Sequence, residues 1–381
     1  MQYTLARAIA CLLLGSLCLF SHAQESEARK YSNEFLKIGV GARAFGMGKA
    51  QTAVSEDVTA GYWNPAGLAS SGKPLDPELS LMHAAYFANI ANYNHGGFSM
   101  PIDSAGQRWF GLTLIRIGVD DIPNTLQLRD SDGSINLDRI QSFSASDFAA
   151  MFSYAWRPGN SERLSLGTNF KIIYRGVGRF ANAWGFGLDL AVRYKVDNLQ
   201  LGLVINDATN TFNAWTFNTE TFEDAFINTG NEVPQNSVEI TRPSARLGIA
   251  YDLQMGRRFS ALLALDTDVF FDGNRSASLW SGGGVSIDPH AGVELAYKNE
   301  FGKKIAFLRG GFYNLQYFDG TTSDTTPDGD PIIVDPINEI FPTAGVGVLV
   351  KNFQIDYALA NIGDFSANLH SHVVSIRFAI K

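Results

Sequence analysis

Cysteine is missing from all but the first eighteen residues, since Cys11 and Cys18 are the only two in the chain. Both fall in a segment with the three parts of a secretory signal peptide: a short start carrying Arg7, an apolar run from Ala8 to Phe20, and Ser21-His22-Ala23 with small residues at its first and third positions. Cleavage before Gln24 leaves a mature chain without disulfides or thiol catalysis. A lipid anchor is disfavoured as well, because Leu17 precedes Cys18 and Cys11 lies near the start of the apolar run.

Long apolar runs are missing too. The signal's run falls short of the roughly twenty residues that a spanning helix requires, and later stretches such as 259–271 are broken by Asp266 and Asp268. No transmembrane helix can be drawn. Charge is scarce at 18% of residues, and removal of Arg7 leaves 29 basic against 38 acidic side chains, a net charge of −9. No basic stripe points to nucleic acid. Abundant instead are glycine, with 37 residues, and aromatics at 12%, which suit exported β-structure better than a cytoplasmic α/β enzyme.

Chemical motifs are equally thin. There is no Gly-x-Ser-x-Gly elbow, and the five histidines beyond the signal do not neighbour a serine and aspartate set, so the chain is not expected to be an enzyme. Gly39-x-Gly41-x-x-Ala44 matches a dinucleotide fingerprint in form but lacks the strand before it and the βαβ unit after it. His370-x-His372 lacks a third metal ligand, and the acidic loop of Asp324, Asp328 and Asp330 lacks EF-hand spacing. Neither a cofactor nor a metal is expected.

The positive signal is alternation. At the C-terminus Val374, Ile376, Phe378 and Ile380 alternate with Val373, Ser375, Arg377 and Ala379, so one face is wholly apolar. The pattern recurs in about fourteen segments of outer-membrane strand length. The expected spans are 79–86, 95–101, 108–117, 146–156, 163–174, 185–195, 199–206, 244–252, 259–269, 289–297, 304–313, 343–350, 353–360 and 371–380. In 259–269 one face carries Asp266 and Asp268 together, a costly pair in a dry core but a tolerable one in a wet lumen.

Connection lengths decide between a sandwich and a barrel. Brief turns such as Pro101–Gln107, Arg157–Glu162 and Val196–Asn198 alternate with long connections, notably Gly118–Ala145, Asp207–Pro243 and Asn314–Pro342. Short turns opposite long loops, with an even strand count, predict an all-β fold: a transmembrane antiparallel barrel of about fourteen strands over residues 79–381. Aromatics near strand ends, among them Trp109, Trp184, Tyr194, Tyr251 and Tyr313, are candidates for interfacial girdles.

Residues 24–78 do not read as strands. A barrel of this size lies between those whose side chains fill the interior and those that leave a channel, so this segment is expected to fold into the lumen as a hatch. Gly39, Gly41, Gly46 and Gly48 allow close backbone packing, with Arg43 and Met47 between them, and Trp63-Asn64-Pro65-Ala66-Gly67-Leu68 combines a turn with apolar anchors.

Residues 34–48, Glu-Phe-Leu-Lys-Ile-Gly-Val-Gly-Ala-Arg-Ala-Phe-Gly-Met-Gly, and 57–68, Asp-Val-Thr-Ala-Gly-Tyr-Trp-Asn-Pro-Ala-Gly-Leu, resemble the opening of the PorV/PorQ family of Bacteroidetes outer-membrane proteins. That family is similar to the FadL long-chain fatty-acid transporters, fourteen-stranded barrels with an N-terminal hatch. The resemblance implies an outer-membrane protein tied to type IX secretion, with the translocon and cargo C-terminal domains as partners and outer-membrane lipid around it.

Two functions follow for the long outer loops. In the first they bind a folded protein partner, with Phe212, Trp215, Phe217, Phe222 and Phe226 as the contact patch. In the second, a FadL-like transporter, the same aromatics line an entrance for a hydrophobic ligand, and a continuous apolar pocket runs between loops and hatch. A third possibility is a structural barrel that closes the side opening of a larger translocon.

Overall fold

The computed structural model describes residues 32–86, 90–126, 128, 134–228, 230–275, 278–318, 321–325, 331–333, 337–360 and 371–381. The signal peptide, His370, Asp328 and Asp330 lie outside the described residues.

The alternating segments become antiparallel strands: β1 (Glu78–Tyr86), β2 (Ala91–Pro101), β3 (Arg108–Asn124), β4 (Gln141–Trp156), β5 (Leu164–Val177), β6 (Ala181–Val196), β7 (Leu199–Asn206), β8 (Thr211–Phe217), β9 (Ser237–Thr241) and β10 (Ser244–Met255). They continue with β11 (Phe259–Phe270), β12 (Trp280–Gly282), β13 (Val285–Lys298), β14 (Lys304–Phe318), β15 (Thr321–Thr325), β16 (Pro331–Ile333), β17 (Ile337–Val350), β18 (Phe353–Ala360) and β19 (Ser371–Ala379). β1 pairs with both β2 and β19, which closes the sheet on itself and leaves no edge. With β7 and β8 as one stave, β9 and β10 as another, and the short β12 set aside, the barrel has fourteen staves.

The faces are inverted relative to a water-soluble barrel. Leu81, Leu190, Leu247, Leu265, Val346 and Ile376 are exposed on the outside, while Arg193, Asp266, Glu294 and Arg309 are buried inside. An apolar exterior with a polar interior is the arrangement that hydrocarbon solvent selects.

Three pairs of neighbouring staves rise beyond their expected ends. The connection 118–145 is partly sheet, because β3 runs to Asn124 and β4 starts at Gln141 across a bulge between Val119 and Ile122. Asp120 and Asp121 in that bulge interrupt the alternation, which is why the extension reads as loop. β14 and β17 likewise continue past a register shift after Tyr313. The third case is 207–243. Asp207 and Asn210, both at positive φ, break one stave between β7 and β8, and Arg242-Pro243 breaks its neighbour at the same level. β8 and β9 resume the wall above this double break. Trp109 and Tyr313 are buried inside rather than forming a girdle, whereas Trp184, Tyr194 and Tyr251 face outward.

Candidate functional site

Residues 32–77 run through the lumen as short helical turns, Glu34–Lys37, Ala42–Gly46, Ala60–Trp63 and Pro65–Ala69, joined by tight bends. Gly39 and Gly41 take φ of 105° and 85°, a region closed to most side chains, and Gly39 lies under the Trp63 ring. Trp63 Nε1 donates to the Val40 carbonyl at 2.9 Å, so the two halves of the segment are tied across 23 residues. Asn64 donates through Nδ2 to the Thr52 carbonyl at 2.7 Å and accepts from Ala66 N at 3.1 Å, capping the turn that Pro65 begins. Gly67 packs directly on the Ser55 carbonyl.

The wall is cut to receive this segment. Gly46 faces Gly345, where a methyl on either would stand 3.0 Å from the other's Cα. Met47 and Gly48 press on Gly292 and Gly311, Thr52 and Ala53 on Gly202 and Gly248, Pro65 and Ala66 on Gly167, and Leu68 on Gly111. Seven wall glycines thus let the segment's main chain approach the sheet. Two gaps between hatch and wall among the described residues have volumes of 30 and 20 Å³, room for about one water each.

Charge completes the seal. Arg43 donates through Nε to Glu294 Oε2 at 2.8 Å, Arg309 donates to the same oxygen at 2.8 Å, and Arg309 Nη1 reaches Asp356 Oδ1 at 2.7 Å. Arg193 donates to the Ala53 carbonyl at 2.7 Å, to Ser70 Oγ at 2.5 Å and to Glu56 Oε1 at 2.5 Å. Asp266 Oδ2 accepts from the main-chain N–H groups of Gln51 and Thr52, each at 2.7 Å, and Asp268 pairs with Arg246 at 2.7 Å. Asp266 therefore faces main-chain donors and not the wet lumen that the spacing suggested, whereas Asp268 also lines an open recess above the hatch. Near the periplasmic turns, burial acts to raise the Asp57 carboxyl, but Arg377, Arg43 and two bonds from Thr59 outweigh it and hold it at about 2. Facing the loops, burial pushes the Lys49 ammonium down to about 8, against Asp288 and Asp268. Its Nζ lies 4.0 Å above the Tyr313 ring.

Arg193, Asp266, Glu294 and Arg309 were not singled out from the sequence as hatch contacts. Their signal was present: Val293-Glu294-Leu295 and Leu308-Arg309 place a lone charge on the alternate face of an apolar strand.

At the loop end, Trp215, Phe217, Phe222 and Phe226 converge with Phe143 and Phe180 on an open pocket of 510 Å³. Ring centroids of Phe143 and Phe180 are 5.0 Å apart, and those of Phe222 and Phe226 are 5.1 Å apart. Trp215 is aimed by a bond from Nε1 to Glu239 Oε2 at 2.8 Å and by the Arg175 guanidinium over its ring. Phe212 is not in this group: the β8 pleat turns it outward beside Phe186, at 48% exposure. No hatch residue lines the pocket, so it is not the continuous cavity between loops and hatch that a transporter predicts. Above the hatch lies a separate, charged recess of 290 Å³ lined by Lys49, Arg246, Asp288 and His290, and below it a vestibule of 630 Å³ lined by Arg43, Asp57, Lys73 and Arg377.

Among solved structures, a Pseudomonas aeruginosa FadL homologue superposes with a TM-score of 0.51 at 12% identity, over 90% of this chain and 98% of that one. The P. putida toluene transporter TodX gives 0.50 at 14% identity, over 90% and 99%. The chain is therefore a FadL-like barrel in fold. No protein-family model and no curated protein matches the sequence.

Proposed function

We propose that the protein is an outer-membrane barrel that admits an apolar small molecule at its loop end, in the manner of FadL-type transporters, without catalysing a reaction. The observation that carries this reading is the 510 Å³ aromatic pocket, which lies within the usual size range of small-molecule sites and offers rings in place of charges. The FadL-like fold supports it, since the structural neighbours include a toluene transporter. Passage onward requires a route that the closed hatch does not provide at rest. Titration of purified protein with toluene, followed by Trp215 fluorescence, tests the reading: saturable quenching that is lost on Phe222→Ser is expected, and absence of saturable binding refutes it.

A second reading follows from the seal and from the family resemblance of residues 34–68. A barrel whose lumen is packed to main-chain contact suits a component that presents its loops to protein partners, here the type IX translocon or cargo C-terminal domains. Mild-detergent capture of the tagged protein from its native membrane decides: a large translocon barrel or proteins sharing a sorting domain support this role, and their absence removes it.

A further inference from the structure

We propose that the outward face of β19, β1, β2 and β3 binds the phosphate group of an outer-leaflet lipid. This rests on the outer-membrane placement proposed above and is independent of the ligand of the loop pocket.

Residues directly opposite one another in an antiparallel pair share a face, so register fixes which side chains meet. Along one row, Val374 of β19, His83 of β1, Asn94 of β2 and Arg116 of β3 stand opposite each other in turn. The row nearer the loops holds His372, Ala85, Asn92, Gly118 and Ser146. Along the strands these positions share their side with Leu81, Leu114 and Ile376, at 68%, 49% and 43% exposure, which places them on the lipid side of the wall.

Their height is unusual for their chemistry. His83 is five residues above the periplasmic end of β1, and Arg116 is eight above that of β3. At roughly 2.5 Å of height per residue in a tilted stave, the row spans about 12–20 Å above the turns, toward the outer side of an apolar band about 25 Å tall, with His83 and Asn94 three residues short of the loop ends of β1 and β2. At similar heights other staves present Phe148, Leu190, Leu247 and Leu265 to the outside. A guanidinium and imidazoles against acyl chains alone are unfavourable, so the patch has a polar occupant.

The patch is rich in donors and lacks acid. Arg116 spends one N–H on Ser146 Oγ at 3.3 Å and rests 5.7 Å from the Phe148 ring, with no carboxylate partner among the described residues. This contrasts with the lumenal Arg43, Arg193 and Arg309, each of which is paired with an acid. His83 Nδ1 bonds to Asn94 Oδ1 at 2.8 Å, which leaves the Asn94 amide N–H groups as donors, and the Tyr357 hydroxyl holds His372 Nδ1 at 2.6 Å. Asp147 on β4 points inward to Arg175, and Asp120 and Asp121 lie past the bulge, nearer the loops. A guanidinium with the Asn94 amide on the neighbouring strand and His83 on the next fits a phosphate. The apolar residues below it, Leu79, Leu81 and Ile376, provide a track for acyl chains of the same molecule, which favours a lipid over free phosphate or an acidic peptide.

Native mass spectrometry of the full-length protein, purified in mild detergent from outer membranes, reads the result. Wild-type protein and the periplasmic-turn variant Arg163→Leu are expected to retain a phosphorylated lipid, and Arg116→Leu with His83→Leu to lose at least about fivefold of that retention. Heat-modifiable migration reports whether the barrel has folded. Equal retention in the double variant overturns the proposal, as does saturation by inorganic phosphate with no lipid retained. A photo-crosslinker at position 94 decides independently should the double variant not fold: a lipid adduct supports the proposal, and a protein adduct overturns it.

Discussion

Gly311 of the wall faces Gly48 of the hatch so closely that a methyl group on Gly311 would stand 2.5 Å from the Gly48 nitrogen. Neither residue can yield, because the same methyl would also meet the Ala291 carbonyl at 2.5 Å. Gly311→Val is therefore expected to unseat this part of the hatch and to destabilise the protein by about 1–3 kcal/mol, the usual range for overpacking. Gly96→Ala is the control, since its nearest neighbour would be Leu81 at 3.9 Å. Limited proteolysis of the hatch and the thermal midpoint check both; an intact hatch in Gly311→Val contradicts the fit described.

Glu294 accepts from both Arg43 and Arg309, so its carboxylate balances one half-buried and one fully buried guanidinium group at once. Glu294→Gln leaves one positive charge uncompensated and is expected to cost about 3–5 kcal/mol, more than an exposed ion pair would. Denaturant midpoints in detergent measure it. A loss below about 1 kcal/mol would mean that water reaches this network and screens it.

The barrel was legible because its signals are local. Period-two alternation and the contrast of turn and loop lengths are each contained in a few residues, and Phe353–Ala360 and Leu199–Asn206 begin and end where the pattern does. What was not legible depends on partners far away in sequence. Asp266 suggested a wet lumen because nothing local shows that Gln51 and Thr52, more than 200 residues earlier, supply its donors. Phe212 was grouped with Trp215 and Phe217 because all lie in one connection. The odd-numbered Trp215 and Phe217 face in and the even-numbered Phe212 faces out, a distinction that appears only once that stretch is known to be strand.

The loop pocket divides those aromatics by function. Phe222 is 6% exposed and touches both Phe180 and Phe226, whereas Phe212 lies on the outer wall. Replacing Phe222 by Ser removes about 1.5–3 kcal/mol of apolar contact and is expected to weaken toluene binding roughly tenfold or more. Phe212→Ser should leave the affinity unchanged. Isothermal titration of both variants separates them, and equal losses would place the ligand on the outer wall instead.

Asp57 links the hatch to the last strand: its carboxylate accepts from Thr59 N at 2.9 Å and lies 3.6 Å from the Arg377 guanidinium. With its pKa held at about 2 against a usual 3.8, the folded state binds fewer protons than the unfolded state between those values. The stabilisation is therefore complete above the usual value and is lost as pH falls through about 2, so neutral buffers should show no pH dependence from this group. Asp57→Asn is expected to cost about 1–3 kcal/mol at neutral pH, the range for a charge-assisted bond, and to flatten the acid limb of the stability profile. Thermal midpoints of wild type and variant from pH 6 down to 2 test this. Parallel curves would show that Arg377 is held by Glu78, its other acid at 3.1 Å, and that Asp57 adds nothing to the anchor.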